Sequence, residues 1–365
     1  MKRVILITTI ALASLSGCQS GYEDWLMKHP EQEELSKRPI KPVPQEIPIT
    51  RPDLPPERDE WREVTEGVYN FSWKLFRQYY QQKQDNVLMA PYTMLSTLNR
   101  KLRNKGELAQ TQFIKSMNIE ADLIDRVNVY FHSMEDYENH PELFNELALF
   151  KMNHNFTEEH DGSIMHQLSV KGLWRLGFEE KETHRAVFHR ADGTEKEVDM
   201  MFRDAFAYLY AIKEYSVIRI NLKSTNFQMF FILPNEGYSI DNVMTSFYPS
   251  SLREQSHIRL RLWMPKFNIH DSELLNASVI DEVSSNHADL DNLVDEQQGK
   301  NLVQQECFIA IDEKGLNDGS ELERYNLGYE WGYPSPYKNV RLDSPFIFGV
   351  TYCLDHLLFL GYYGY

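Results

Sequence analysis

The sequence predicts an α+β fold, with helices leading and large mixed or antiparallel sheets following. Two observations predict it. Apolar residues recur at helical spacing just after residue 60, and the second half is filled by short apolar runs bounded by glycine and proline turns. No internal repeat is present, and helices followed by runs of strands are the order of an α+β domain.

Val64, Val68, Phe71, Leu75 and Tyr79 fall on one face of an amphipathic helix. DNVLMAPY (85–92) follows as a short strand ended by Pro91, and a second helix runs from about Thr93 to Asn104. IRLRLWMPKF (258–267) places Ile258, Leu260, Leu262 and Met264 on alternate positions, the pattern of a half-buried strand. SVIRINL (216–222), QMFFILP (228–234), CFIAI (307–311), PFIFGV (345–350) and HLLFLGY (356–362) read likewise as strands.

A chain of 365 residues with 42% apolar and 13% aromatic content can bury a sizeable core. Its 38 basic and 54 acidic residues leave a net charge of −16, which argues against nucleic-acid binding through a basic surface. MKRVILITTIALASLSGCQS opens the chain as a signal peptide: Lys2 and Arg3, then an apolar run too short to span a bilayer, then small residues. Residues 1–17 are therefore expected to be removed. Residues 19–60 hold eight of the 16 prolines and are expected to form an extended spacer, so the folded domain is placed at 61–365. Cys307 and Cys353 remain, and free thiols are favoured over a bridge because two cysteines make no disulfide framework.

The motifs of enzyme chemistry are missing. There is no GxSxG elbow, phosphate-binding glycine loop, HExxH, paired CxxC or dinucleotide turn, so no catalytic residue is assigned and no cofactor is expected. ADLDNLVDE (288–296) lacks the glycine and final glutamate of a calcium loop and is read as a solvated turn; no metal site is assigned. His154 and His160 flank FTEE without a ligand or base pattern. What stands out instead is IDEKGLNDGSELERY (311–325). It leaves an apolar run through a glycine and opens some thirty mostly polar residues, and loops that long inside compact domains are usually functional or disordered.

The order of segments resembles the serpin family. VYNFSWKLFRQYYQQKQDNVLMAPYTMLSTL is similar to its first helix, first core strand and second helix. SVKGLWRLGFEEKETHRAVFHRADGTEKEVDMMF (169–202) is similar to its FKGxWxxPF, xFH and VxMM segments. VIRINLKSTNFQMFFILPNEG keeps the LPxEG turn. MPKFNIHDSELLNASV, NHADLDNLV, FIAIDEKG and SPFIFGVTYCLDHLLFLGYYGY complete the family's C-terminal order. At the other end, Leu15-Ser16-Gly17-Cys18 resembles the lipobox of bacterial lipoproteins, in which the cysteine is lipidated.

These resemblances imply an extracytoplasmic protein, lipid-anchored at Cys18 to a membrane, with outer membrane or cell surface favoured because Gln19 is not an aspartate. They make residues 316–338 a reactive-centre loop offered to a serine protease, with Glu313, Gly315, Leu316 and Asp318 as its hinge. Counting from Gly315 puts the scissile bond near Tyr329 and Glu330, where an aromatic suits a chymotrypsin-like protease. Trp174 corresponds to the tryptophan at the top of the central sheet, and His166 and Gln305 to its hydrogen-bonded central pair. Between Phe150 and Ser163 there is no room for the helix that crosses this sheet in the family, so a shortened serpin-like fold is expected.

In an inhibitory serpin the cleaved loop enters the central sheet as a new strand. A middle strand buries residues of one parity, and if Leu316 leads the inward set, Asp318, Ser320, Leu322 and Arg324 follow. The family has small, mostly uncharged residues there. Burying an unpaired carboxylate costs several kcal/mol, of the order of a domain's whole stability. Two functions therefore stand side by side: a protease-directed inhibitor, with covalent trapping impeded, and a non-inhibitory serpin-fold binding or scaffold protein.

Overall fold

The computed structural model describes residues 59–83, 85–132, 150–158, 164–223, 226–253, 256–284, 301–317 and 338–365. Cys18, the proline-rich stretch, 288–296, Asp318, Tyr329 and Glu330 lie outside them.

Helix α1 (Glu60–Gln82) buries Val64, Val68, Phe71, Leu75 and Tyr79, the face read from the sequence. β1 (Val87–Met89) is fully buried, and Pro91 then occupies the first turn of α2 (Pro91–Lys105), where its missing N–H costs nothing. α2 has an apolar side of Met94, Leu95, Leu98 and Leu102. Its buried Asn99 is satisfied by its neighbours α3 (Glu107–Ser116) and α4 (Ile124–His132): Gln110 donates to Asn99 (3.0 Å), and Asn99 donates to Asn128 (3.1 Å).

Two sheets follow. The larger contains β4 (His184–His189), β5 (Glu195–Ala211), β6 (Tyr215–Asn221), β7 (Phe227–Pro234), β8 (Ser256–Pro265), β12 (Lys338–Arg341), β13 (Phe346–Tyr352) and β14 (His356–Tyr363). Its order is β1-β14-β13-β7-β6-β5-β8-β12, with β4 paired to β5. β8 buries Leu260, Leu262 and Met264 on alternate positions. β12 is a strand the sequence did not disclose, because KNVR offers a single apolar residue, Val340, and owes its conformation to parallel pairing with β8.

The smaller sheet has the order β2-β3-β11-β10-β9 and is built from β2 (Phe150–Glu158), β3 (Ile164–Leu173), β9 (Phe267–Asn276), β10 (Asn301–Ile311) and β11 (Gly315–Asn317). β2 and β3 pair antiparallel from Phe150↔Gly172 to Glu158↔Ile164, leaving only residues 159–163 between them. No helix able to cross the sheet fits in that connection. Two short helices, α5 (Ile240–Ser246) and α6 (Ala277–Val283), are capped by Ser239 and Asn276. No disulfide joins Cys307 and Cys353.

The turn between β13 and β14 is gripped by distant parts of the chain. Cys353 and Leu354 have φ of 49° and 61°, conformations that L-residues adopt at a cost. The hydroxyls of Tyr69 and Tyr130 donate to the carbonyls of Leu354 (2.9 Å) and Asp355 (2.8 Å), while Arg253 and Trp61 donate to the Asp355 carboxylate. His356 sits behind this turn, stacked on Tyr130 with ring centroids 4.6 Å apart. Burial pushes its pKa down to about 4. The unfolded chain takes up this proton at higher pH than the folded one, so the stability contributed by neutral His356 is present above about pH 6.5 and lost as pH falls toward 4. Thermal melts from pH 7 to pH 4 should show a decline of about 3 kcal/mol from this group, and His356→Phe should flatten that part of the curve.

Candidate functional site

The residues expected to form a hinge lie where the end of β10 turns back on itself. Asp312 accepts from the N–H of Lys314 (2.8 Å) and Gly315 (3.2 Å), and its own N–H donates to the Gly315 carbonyl (3.0 Å). The end of β3 holds this turn. Trp174, 1% exposed, donates its indole N–H to the Asp312 carbonyl (2.8 Å) and its backbone N–H to that of Lys314 (3.0 Å); Phe178 N–H donates to the Glu313 carbonyl (2.9 Å).

Glu313 is buried yet ionised. Burial alone pushes its pKa up, but the ammonium of Lys266 at 2.6 Å and the hydroxyl of Thr183 at 2.7 Å outweigh that and hold it below the ordinary carboxylate value. The carboxylate thereby ties the hinge to the junction of β8 and β9 and to the segment before β4.

Beyond the turn, residues 315–317 are not loop. They form β11, antiparallel to β10 (Ile311↔Leu316, Ala310↔Asn317) and to β3 (Gly315↔Leu173, Leu316↔Gly172). Gly315 is required by space: a Cβ there would lie 1.9 Å from the Gly172 carbonyl oxygen. Leu316 is completely buried. Three residues gave no periodicity from which the sequence could disclose this strand.

Below β11 the sheet is closed by direct parallel pairing of β3 with β10, from Ile164↔Val303 to Ser169↔Phe308. Within this seam His166 and Gln305 are register partners, and Glu273 on β9 faces Gln305 from the other side. All three are buried. The Gln305 amide is not spent on His166 as expected. Its oxygen accepts from Ala90 N–H (2.7 Å) and its nitrogen donates to Ala90 O and Thr93 Oγ1 (both 3.1 Å), because the start of α2 lies directly beneath with backbone groups to satisfy.

Glu273 went unnoticed in the sequence. Burial pushes its pKa up to about 8, against the pull of Lys83, whose ammonium lies 2.7 Å away and also bonds Asp271. Asp271 in turn accepts from Leu88 N–H (2.9 Å). Strand parity over FNIHDSELLN was the available signal: it runs Phe267, Ile269, Asp271, Glu273, Leu275 inward. Lys266 and Thr183 carried no comparable signal, since their partner is set by the fold. Among the described residues no group of His, Cys, Asp or Glu is arranged to hold a metal ion, and no helix is long and apolar enough to cross a membrane.

Comparison with known proteins places this geometry. The profile of one family, described as "Serpin (serine protease inhibitor)", matches residues 151–363. Iripin-2 of Ixodes ricinus is 24% identical over 216 residues, covering 54% of this chain and 52% of its own length. Antithrombin-III of Homo sapiens is 25% identical over 165 residues, covering 42% of this chain and 36% of its own. The chain thus spans about half, or less, of the curated relatives it matches. In structure, the native state of the thermophilic serpin tengpin superposes with a TM-score of 0.63 at 14% identity, over 87% of this chain and 96% of that one.

Removing the hinge anchor tests its energetics. Glu313→Ala should cost about 2 kcal/mol, less than a fully buried pair because Lys266 is partly solvated, read as a lowered midpoint in denaturant. Gly315→Ala should also lower it, by forcing β11 away from Gly172.

Proposed function

The chain belongs to the serpin family, and from that premise we propose that it is a serpin-type protease inhibitor, directed at a serine protease through the segment 316–338. The observation that carries this reading is β11: the sheet already accepts Gly315–Asn317 as a middle strand between β3 and β10. The short β2–β3 connection supports it too, because no helix in that connection has to move when the strands part.

The register of β11 specifies what further entry demands. Continued downward, it sets Asp318 between Val170 and Ile309, Ser320 between Leu168 and Cys307, Leu322 between His166 and Gln305, and Arg324 between Ile164 and Val303. Val170 and Ile309 are fully buried. The carboxylate therefore meets the apolar part of the row, while Leu322 meets the polar pair. Entry of the first inward charge costs several kcal/mol and slows insertion relative to hydrolysis of the acyl-enzyme. This mismatch favours a second reading, a non-inhibitory serpin-fold binding protein whose loop is cut and released.

We place the scissile bond near Tyr329 and Glu330, which suits a chymotrypsin-like protease. Incubation of residues 61–365 with chymotrypsin, run on a denaturing gel, separates the readings: a covalent complex supports trapping, whereas nicking near Tyr329 with free protease supports the second. Asp318→Ala should raise the covalent fraction; an unchanged fraction would remove burial of Asp318 as the obstacle. Anchoring is proposed at Cys18, on a bacterial outer membrane or cell surface. Cys18→Ser should move the protein from the membrane pellet to the soluble fraction.

A further inference from the structure

The seam between β3 and β10 carries a side-chain tie on its outer face. Burial alternates along β3, with His166, Leu168 and Val170 inward and Gln167 outward, and along β10, with Gln305 and Cys307 inward and Glu306 outward. Gln167 and Glu306 are register partners. The Gln167 amide donates to one Glu306 oxygen at 2.7 Å, and the other Glu306 oxygen lies 2.7 Å from His270 Nε2 on β9. One carboxylate thus spans three strands. These two contacts hold the Glu306 carboxyl below its ordinary value, Gln167 contributing first.

Other side-chain bonds of this region run to one side. Gln305 binds Ala90 and Thr93, Asp271 binds Leu88 N–H, Lys83 binds Asp271 and Glu273, and the Tyr79 hydroxyl donates to the Leu274 carbonyl at 3.1 Å. All of them fasten β9 and β10 to residues of α1, β1 and α2 or directly adjoining them. None of these crosses the β3–β10 line; the Gln167–Glu306 bond does. It also lies at the height of the His166–Gln305 row, below the end of β11.

We propose that Gln167, Glu306 and His270 form an outer clasp that holds β3 against β10 and sets how often the seam opens. Glu306 is its centre: His270 fixes the carboxylate from the β9 side, and Gln167 is the arm that reaches across the seam. The charge on the acceptor makes this bond stronger than a neutral pair. Its loss loosens β3 against β10, leaving the backbone ladder and the fastenings beneath in place.

Native-state hydrogen exchange tests this without any protease. Gln167→Ala and Glu306→Ala should each raise exchange about fivefold at amides that bond across the β3–β10 seam, while amides of β13 and β14 keep their wild-type rates. The double variant should exchange no faster at the seam than Glu306→Ala, because the Gln167–Glu306 bond is already absent in Glu306→Ala, and Glu306→Gln should restore part of the protection by keeping an acceptor. Unchanged seam exchange in both single variants overturns the proposal. So does an equal rise in β13 and β14, or an additive rise in the double variant. Gln167→Ala is a surface change that keeps the test decisive should Glu306→Ala not fold.

Discussion

The parallel contact between β3 and β10 is the constraint on which the rest of this molecule turns. Parallel ladders have slanted hydrogen bonds and are slightly less stable per residue than antiparallel ones. Every other pairing in the five-stranded sheet is antiparallel, including both that β11 makes with its neighbours. A strand entering from the top would therefore exchange one parallel ladder for two antiparallel ones. The gain in backbone bonding is built into the topology, and what opposes it comes from side chains.

Those side chains divide by face. Inward, the seam offers apolar residues near the hinge and polar ones lower down, where His166, Gln305 and Glu273 stand in a row over the start of α2. A buried polar row is tolerable only when its members are satisfied, and Gln305 achieves this through Ala90 and Thr93 rather than through its neighbour in the sheet. At the top, Glu313 solves the opposite problem: its charge is kept in a poorly solvated place by Lys266 and Thr183. The turn that ends β10 is thus anchored electrostatically on one side of Gly315 and by close backbone packing on the other.

Long periodic features were legible in the sequence because local patterning and tertiary burial agree in them. The face of α1 from Val64 to Tyr79 and the alternation of Leu260, Leu262 and Met264 are of this kind. The family resemblance carried Trp174 and the Gly315 hinge to positions that the fold brings together. What stayed hidden was decided by tertiary pairing alone. β12 depends on β8, β11 on Gly315 lacking a side chain against the Gly172 carbonyl, and the Gln305 amide on which backbone groups lie under it. Lys83 and Glu273 are far apart in sequence, and neither residue announces the other. That no crossing helix fits between β2 and β3 was legible for the opposite reason, since a count of residues between two strands is an upper bound that no packing can extend.

The five residues joining β2 to β3 bear on assembly as well as on motion. Closing so small a loop costs little chain entropy, so this hairpin is available as soon as it is synthesised. β3 meets β10 and β11, by contrast, only after strands β4 to β9 have intervened, which makes these the non-local contacts of the sheet and the slow ones to form. The line along which an entering strand would have to part the sheet is thus also the line along which it is last knitted together.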